Sequence, residues 1–206
     1  MKNPLHYQIS EYDCGPTSML NAMSYLFERE DIPPEIIRNI MLYCLDCYGS
    51  DGACGKSGTS RVAMMFLSNW LNGFGPAGHF PVSSRYISGE AVNFRQDSSL
   101  RDTLRRGGAA VVRVDFEGWH YVLLTGIQED DVFLFDPYYR DQPFADEAIQ
   151  MVADHPTAYN RIVPTHYFER EVQEVYSFGP TEGREAVLLF NEKTKLTAET
   201  TVEYMI

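Results

Sequence analysis

Apolar side chains recur at helical spacing in the first half of the chain, then at alternate positions or in short unbroken runs through the second. Met19, Leu20, Met23, Leu26 and Phe27 stand three and four apart, which predicts a helix beginning near Cys14. Gly15 and Pro16 follow, and proline suits a first helical turn, where its missing N–H costs nothing. Beyond Ile32-Pro33-Pro34, the set Ile36, Ile37, Ile40, Met41 and Cys44 predicts a second helix. A Gly-rich loop over 49–58 leads to a third, with Val62, Met65, Phe66 and Trp70 on its apolar side and Gly73 as its stop. Residues 75–81 read as a loop, and a short strand is expected near 85–87. Ser98 or Ser99 caps a further helix carrying Leu100 and Leu104, which Gly107-Gly108 ends.

From there the period changes to two. Residues 109–116, 120–127 and 132–136 read as strands, and the turn at 128–131 joins the last two as a hairpin. Side chains alternate along a strand, so His120, Val122 and Leu124 share one face, as do Val132, Leu134 and Asp136 on the partner. A register with Val122 opposite Asp136 makes His120 and Asp136 diagonal neighbours on the same face. Residues 143–155 are expected to form an acidic helix, 161–168 and 185–191 strands, and 179–183 a turn. Helices first and sheet later imply an α+β fold, N-terminal helices packed on an antiparallel sheet. No repeat or composition shift interrupts the chain, so a single domain over 1–206 is expected.

Composition narrows the function classes. At 206 residues, 44% hydrophobic and 13% aromatic, the chain can bury a sizeable core and is not disordered by composition. The net charge of −12 leaves no basic patch to neutralise phosphates, which argues against a nucleic-acid partner. The same field favours cationic substrates. Apolar runs fall short of a membrane span and MKNPLHYQIS has no signal region, so a cytoplasmic protein without structural disulfides is expected. Cys44, Cys47 and Cys54 lack a fourth Cys or His at comparable spacing, His79 being distant. They are read as buried or incidental thiols, with no metal or cofactor implied.

The chemistry centres on Cys14. A thiol attacks only as thiolate, and the unpaired N–H groups and dipole of a helix start favour that anion. Gln8, six residues upstream, can turn its side-chain amide toward Cys14 and, with the Cys14 backbone N–H, hold a tetrahedral oxyanion. His120 is the candidate base, and Asp136 the carboxylate that holds one imidazole nitrogen and leaves the other for the thiol proton. Trp119 and Tyr138 are read as packing or rim residues, and Gly107-Gly108 as a helix stop rather than a self-cleavage site, since cleavage there would part Cys14 from His120.

The segment from Gln8 through Asp13-Cys14-Gly15 to Leu20 resembles the double-glycine leader peptidases that process bacteriocin precursors, the papain-like cysteine peptidase family thirty-nine. His120-Tyr121-Val122, Asp136-Pro137 and the run from Leu100 to Val114 complete the likeness. The resemblance implies a papain-like fold with Cys14 as nucleophile, His120 as base, Asp136 as orienter and Gln8 as oxyanion donor, acting on peptide or amide bonds. Pro16-Thr17-Ser18 departs from the small, alanine-like residues usual there and looks more like free-standing relatives, so double-glycine specificity is not carried over. Two other classes share these residues. One is an acyltransferase that resolves the same thioester with an amine; the other is a peptide-binding module that keeps the groove without catalysis.

Overall fold

The computed structural model describes residues 1–48, 52–115 and 118–197. The first helix, α1 (Cys14–Leu26), begins at the cysteine itself. The second, α2 (Pro34–Cys44), opens on a proline and buries Ile36, Ile40 and Cys44. Helix α3 (Arg61–Ala77) is capped by Ser60, whose hydroxyl accepts from the Ala63 N–H at 3.1 Å.

Helix α3 departs from expectation twice. It runs through Gly73 and Gly75 to Ala77, so 75–77 is helix and not loop. A Cβ on Gly75 would lie 2.6 Å from the Val82 carbonyl oxygen; the glycine lets the following strand pass close to the helix. The buried stripe is Ala63, Met64, Leu67, Ser68 and Leu71, whereas Val62, Met65 and Phe66 are exposed. Both stripes have helical spacing, and spacing alone does not say which one meets the sheet.

Among the described residues seven strands follow: β1 (Val82–Ser88), β2 (Ala109–Asp115), β3 (Trp119–Gln128), β4 (Asp131–Phe135), β5 (Gln150–Met151), β6 (Arg161–Pro164) and β7 (Glu185–Asn191). Between β1 and β2 lies α4 (Ser99–Arg105), capped by Ser98, and after β6 the single turn α5 (Thr165–Phe168). Phe116, the expected end of the second strand, and 49–51 of the Gly-rich loop lie outside the described residues.

Two expectations fail in the last third. Residues 143–155 form no helix: Ile149 is buried, the Val152 N–H donates to the Asn160 carbonyl, and β5 pairs with β6. Asp146 accepts from the Ala148 N–H at 3.0 Å and from the Tyr167 hydroxyl, which folds this stretch onto the sheet edge. The strand expected over 161–168 ends at Pro164, which has no N–H for the ladder, and the chain then turns into α5.

Among the described residues the strand order is β1-β7-β2-β3-β4-β6-β5, with every neighbour antiparallel. In the β3–β4 hairpin Leu123 faces Phe135 and Leu124 faces Leu134; beyond Leu124 the register shifts at a bulge. Toward the site the paired register ends at Leu123–Phe135, where β4 stops, and Asp136 is the next residue of the chain.

Both faces of the sheet are buried. Met19, Met23, Leu67, Val111, Leu123 and Val187 form one core with α1–α3. Val112, Val122, Leu134, Leu100, Phe168 and Phe178 form a second on the opposite face. The fold is α+β with a layer on each side of the sheet. This explains strands such as Ala109-Ala110-Val111-Val112, apolar without alternation. No helix among the described residues is long and apolar enough to cross a membrane.

Candidate active site

Cys14 is buried as the first residue of α1, and among the described residues no side chain makes a capping bond to the helix. Asp13, just ahead of it, is used instead to fold the preceding loop. Its carboxylate accepts from the Ile9 N–H at 2.9 Å, the Ser10 N–H at 2.6 Å and the Thr17 hydroxyl at 3.2 Å. Burial would raise the Asp13 carboxyl, but the Ser10 hydroxyl, which donates to it at 2.5 Å, and the Ile9 and Ser10 N–H groups outweigh it and hold it below the ordinary carboxylate value. The loop from Gln8 to Cys14 is thereby fixed by the residue between them.

Gln8 lies in the same cleft as Cys14. Its backbone N–H donates to the Pro137 carbonyl at 2.8 Å, tying the N-terminal segment to the chain just after Asp136. Its side-chain nitrogen donates to the Ser10 carbonyl at 2.7 Å, which leaves a second N–H on that nitrogen. The amide oxygen is buried without a hydrogen-bond partner. The cleft is lined by Gln8, Glu11, Cys14, Gly118, Trp119, His120 and Tyr138, and has a volume of about 210 Å³.

His120 enters from the start of β3. Its Nε2 lies 2.8 Å from Asp136 Oδ1, so Nδ1 is the nitrogen not engaged by that carboxylate, and Cys14 lines the same cleft. Burial alone would keep the imidazole neutral. The Asp136 carboxylate and Cys14 outweigh it and raise the ring above its ordinary value of 6.5. Asp136 is itself buried, which would raise its carboxyl; His120, the Tyr138 N–H and the Tyr176 hydroxyl bring it below the ordinary range. Such an arrangement can take a proton from a thiol and keep the resulting imidazolium paired.

Several contributors were not legible as site residues. Asn160 brackets the Asp136 backbone, accepting from its N–H at 2.8 Å and donating to its carbonyl at 2.9 Å. Tyr138 donates its N–H to Asp136 Oδ1 at 2.9 Å and sets its ring edge-on to His120. Trp119, expected to pack on the sheet, does both jobs: it lines the cleft and lies under the Arg113 guanidinium, 4.3 Å from the ring centroid. Gly179 and Gly183 make room for that ring; a Cβ on Gly179 would come within 2.9 Å of it. Only Asp13 carried a local signal, an acid one residue before a helix start. The other cysteines are not part of the cleft. Cys44 is buried on α2 and Cys47 and Cys54 lie in the loop beyond, with no metal-binding cluster among the described residues.

Residues 2–166 match the family described as Peptidase_C39 like family. No curated protein matches the chain. Among solved structures, the peptidase domain of Streptococcus mutans ComA is 14% identical with a TM-score of 0.41, over 91% of this chain and 98% of that one. A double glycine motif protease from an AMS/PCAT transporter, in complex with the leader peptide, is 13% identical with a TM-score of 0.43, over 91% and 89%. The peptidase domain of a Streptococcus ComA, a bifunctional ABC transporter of a quorum-sensing pathway, is 14% identical with a TM-score of 0.44, over 91% and 97%.

Proposed function

This chain belongs to the Peptidase_C39 like family, with its papain-like α+β fold, and on that premise we propose that it is a cysteine peptidase working through Cys14. The observation that carries the reading is the shared cleft of Gln8, Cys14 and His120, with the imidazole held by Asp136 at 2.8 Å. The thiol proton passes to His120 Nδ1 and the thiolate attacks the carbonyl carbon of a peptide bond. The free side-chain N–H of Gln8 and the backbone N–H of Cys14 receive the oxyanion. Collapse breaks the C–N bond, the imidazolium gives its proton to the leaving amine, and a thioester remains on Cys14. Water, deprotonated by His120, attacks the thioester and releases the acid and the thiol.

The test is labelling by a peptidyl chloromethyl ketone, read by mass mapping. We expect one adduct, on Cys14, absent in Cys14→Ala and formed far more slowly in His120→Ala. Labelling at Cys54 in preference to Cys14, or at the same rate without the imidazole, overturns the reading. Hydroxylamine added during turnover of a peptide should give a hydroxamate, the product of a trapped thioester.

A further inference from the structure

Asp136 is oriented by a residue that lies outside the stretch 2–166 shared with the family. Tyr176 is fully buried and sits at φ +62°, a left-handed conformation that residues with a side chain seldom adopt. The surrounding chain fixes it there. Its N–H donates to the Asp115 carbonyl at 2.9 Å, and the Asp115 N–H donates to the Ser177 carbonyl at 2.8 Å, docking this segment onto the end of β2. Its ring contacts Phe144 and Phe168, with centroids 5.8 and 6.4 Å away. With backbone and ring so held, the hydroxyl donates to Asp136 Oδ2 at 2.8 Å. Oδ1 is left for His120 Nε2 and the Tyr138 N–H. Burial and the neighbouring carboxylate keep the phenol protonated and outweigh the buried Arg161, which acts in the opposite direction.

We propose that Tyr176 is a positioning residue for the peptidase reaction, fixing the Asp136 carboxylate with one oxygen toward the imidazole and drawing charge away from it. This rests on the reading of Cys14, His120 and Asp136 given above. A backbone outlier at a buried donor, beside a carboxylate that bears on the chemistry, marks a place where conformation serves function. Without the hydroxyl, Oδ2 loses its donor, and the carboxylate, held through Oδ1 alone, is less firmly fixed and more basic, so the imidazolium is worse placed and harder to deprotonate.

The experiment is a double-mutant cycle on the full chain, Tyr176→Phe with and without Asp136→Asn. Peptide turnover and the pH dependence of Cys14 alkylation by iodoacetamide are both read. Tyr176→Phe should lower kcat about tenfold with KM unchanged, and move the alkaline limb of alkylation to higher pH. Neither change should occur in the Asp136→Asn background. Should Tyr176→Phe not fold, 3-fluorotyrosine at position 176 keeps the donor and strengthens it, and the alkaline limb should move to lower pH. Equal losses in both backgrounds, or an unmoved limb in either variant, overturn the role of Tyr176 alone. Alkylation that is the same in wild type and His120→Ala overturns the peptidase reading beneath it.

Discussion

At Gln8 the oxyanion assignment meets a demanding geometry, because one side-chain N–H is already held by Ser10. That bond aims the amide, and in the proposed mechanism the donor it leaves acts only on the charge that develops in the transition state. Gln8→Ala should therefore lower kcat by about a hundredfold while iodoacetamide still modifies Cys14 at nearly the native rate. An unchanged kcat removes Gln8 from the mechanism. Asp136→Asn acts differently. Burial disfavours the charged imidazole and the carboxylate reverses that, so taking the carboxylate away lets burial prevail and lowers the His120 pKa. The alkaline limb of Cys14 alkylation, where the imidazolium is lost, should then move to lower pH. The same pair links stability to pH. The raised His120 contributes stability present below 6.5 and lost as pH rises through the folded value; the lowered Asp136 contributes stability present above 3.8 and lost as pH falls through its own. A thermal-melt series in Asp136→Asn should show both slopes flattened. Cys14 and His120 stand out as candidates in the sequence because each sits in a local context that implies a backbone state, a helix start and a strand, whereas Gln8 is marked only by its six-residue lead on Cys14. Asn160 and Tyr176 do not stand out, because their bonds to Asp136 span 24 and 40 residues.

Element by element, strand alternation carried more information than helical spacing. The β3–β4 pairs Leu123–Phe135 and Leu124–Leu134 agree with a register that puts alternate side chains on a shared buried face, and a slip of one residue would turn His120 to the other side. A helix with apolar residues on two stripes has no such constraint, and α3 turned its unexpected stripe to the sheet. Its glycines show the same ambiguity. Gly73 is exposed with nothing within 4 Å of an added Cβ, whereas Gly75 is pressed against the Val82 carbonyl at 2.6 Å. Gly73→Ala should stabilise by about 0.5–1 kcal/mol through reduced backbone freedom in a helix. Gly75→Ala should destabilise by about 1–3 kcal/mol, since α3 and β1 must part to admit a methyl. Urea midpoints for the two variants decide this: equal shifts of the same sign contradict the packing. The acidic stretch 143–155 was misread for a related reason. Its composition suits a solvated helix, but its backbone donors are claimed by the sheet edge, and pairing with β6 outweighs propensity.

For the whole molecule, strand order ties the end of the chain to its beginning. β7 lies between β1 and β2, so the residues shared with the family, 2–166, lack an inner strand of the sheet that supports the cleft. Glu185, the first residue of β7, is buried and accepts from the hydroxyls of Tyr86 at 2.9 Å and Tyr121 at 2.8 Å. Arg113, which stacks on Trp119 in the cleft wall, lies 3.2 Å from the same carboxylate. Removing β7 would strip one edge of β2 of its ladder partner, cut β1 off from the sheet and leave Arg113 without that carboxylate, a loss of the kind that breaks a fold rather than trims it. We propose on this ground that the described chain is one folding unit, with its C-terminal third integral to the sheet. A chain ending at residue 166 should be unfolded by near-ultraviolet circular dichroism and should show no preference for alkylation at Cys14 over the other thiols. The full chain should melt in one transition, with loss of Cys14 reactivity coinciding with loss of the sheet signal. A fragment 1–166 that melts cooperatively and reacts selectively at Cys14 would show instead that the matched segment folds alone, and that Tyr176 and Glu185 were added to a site already complete.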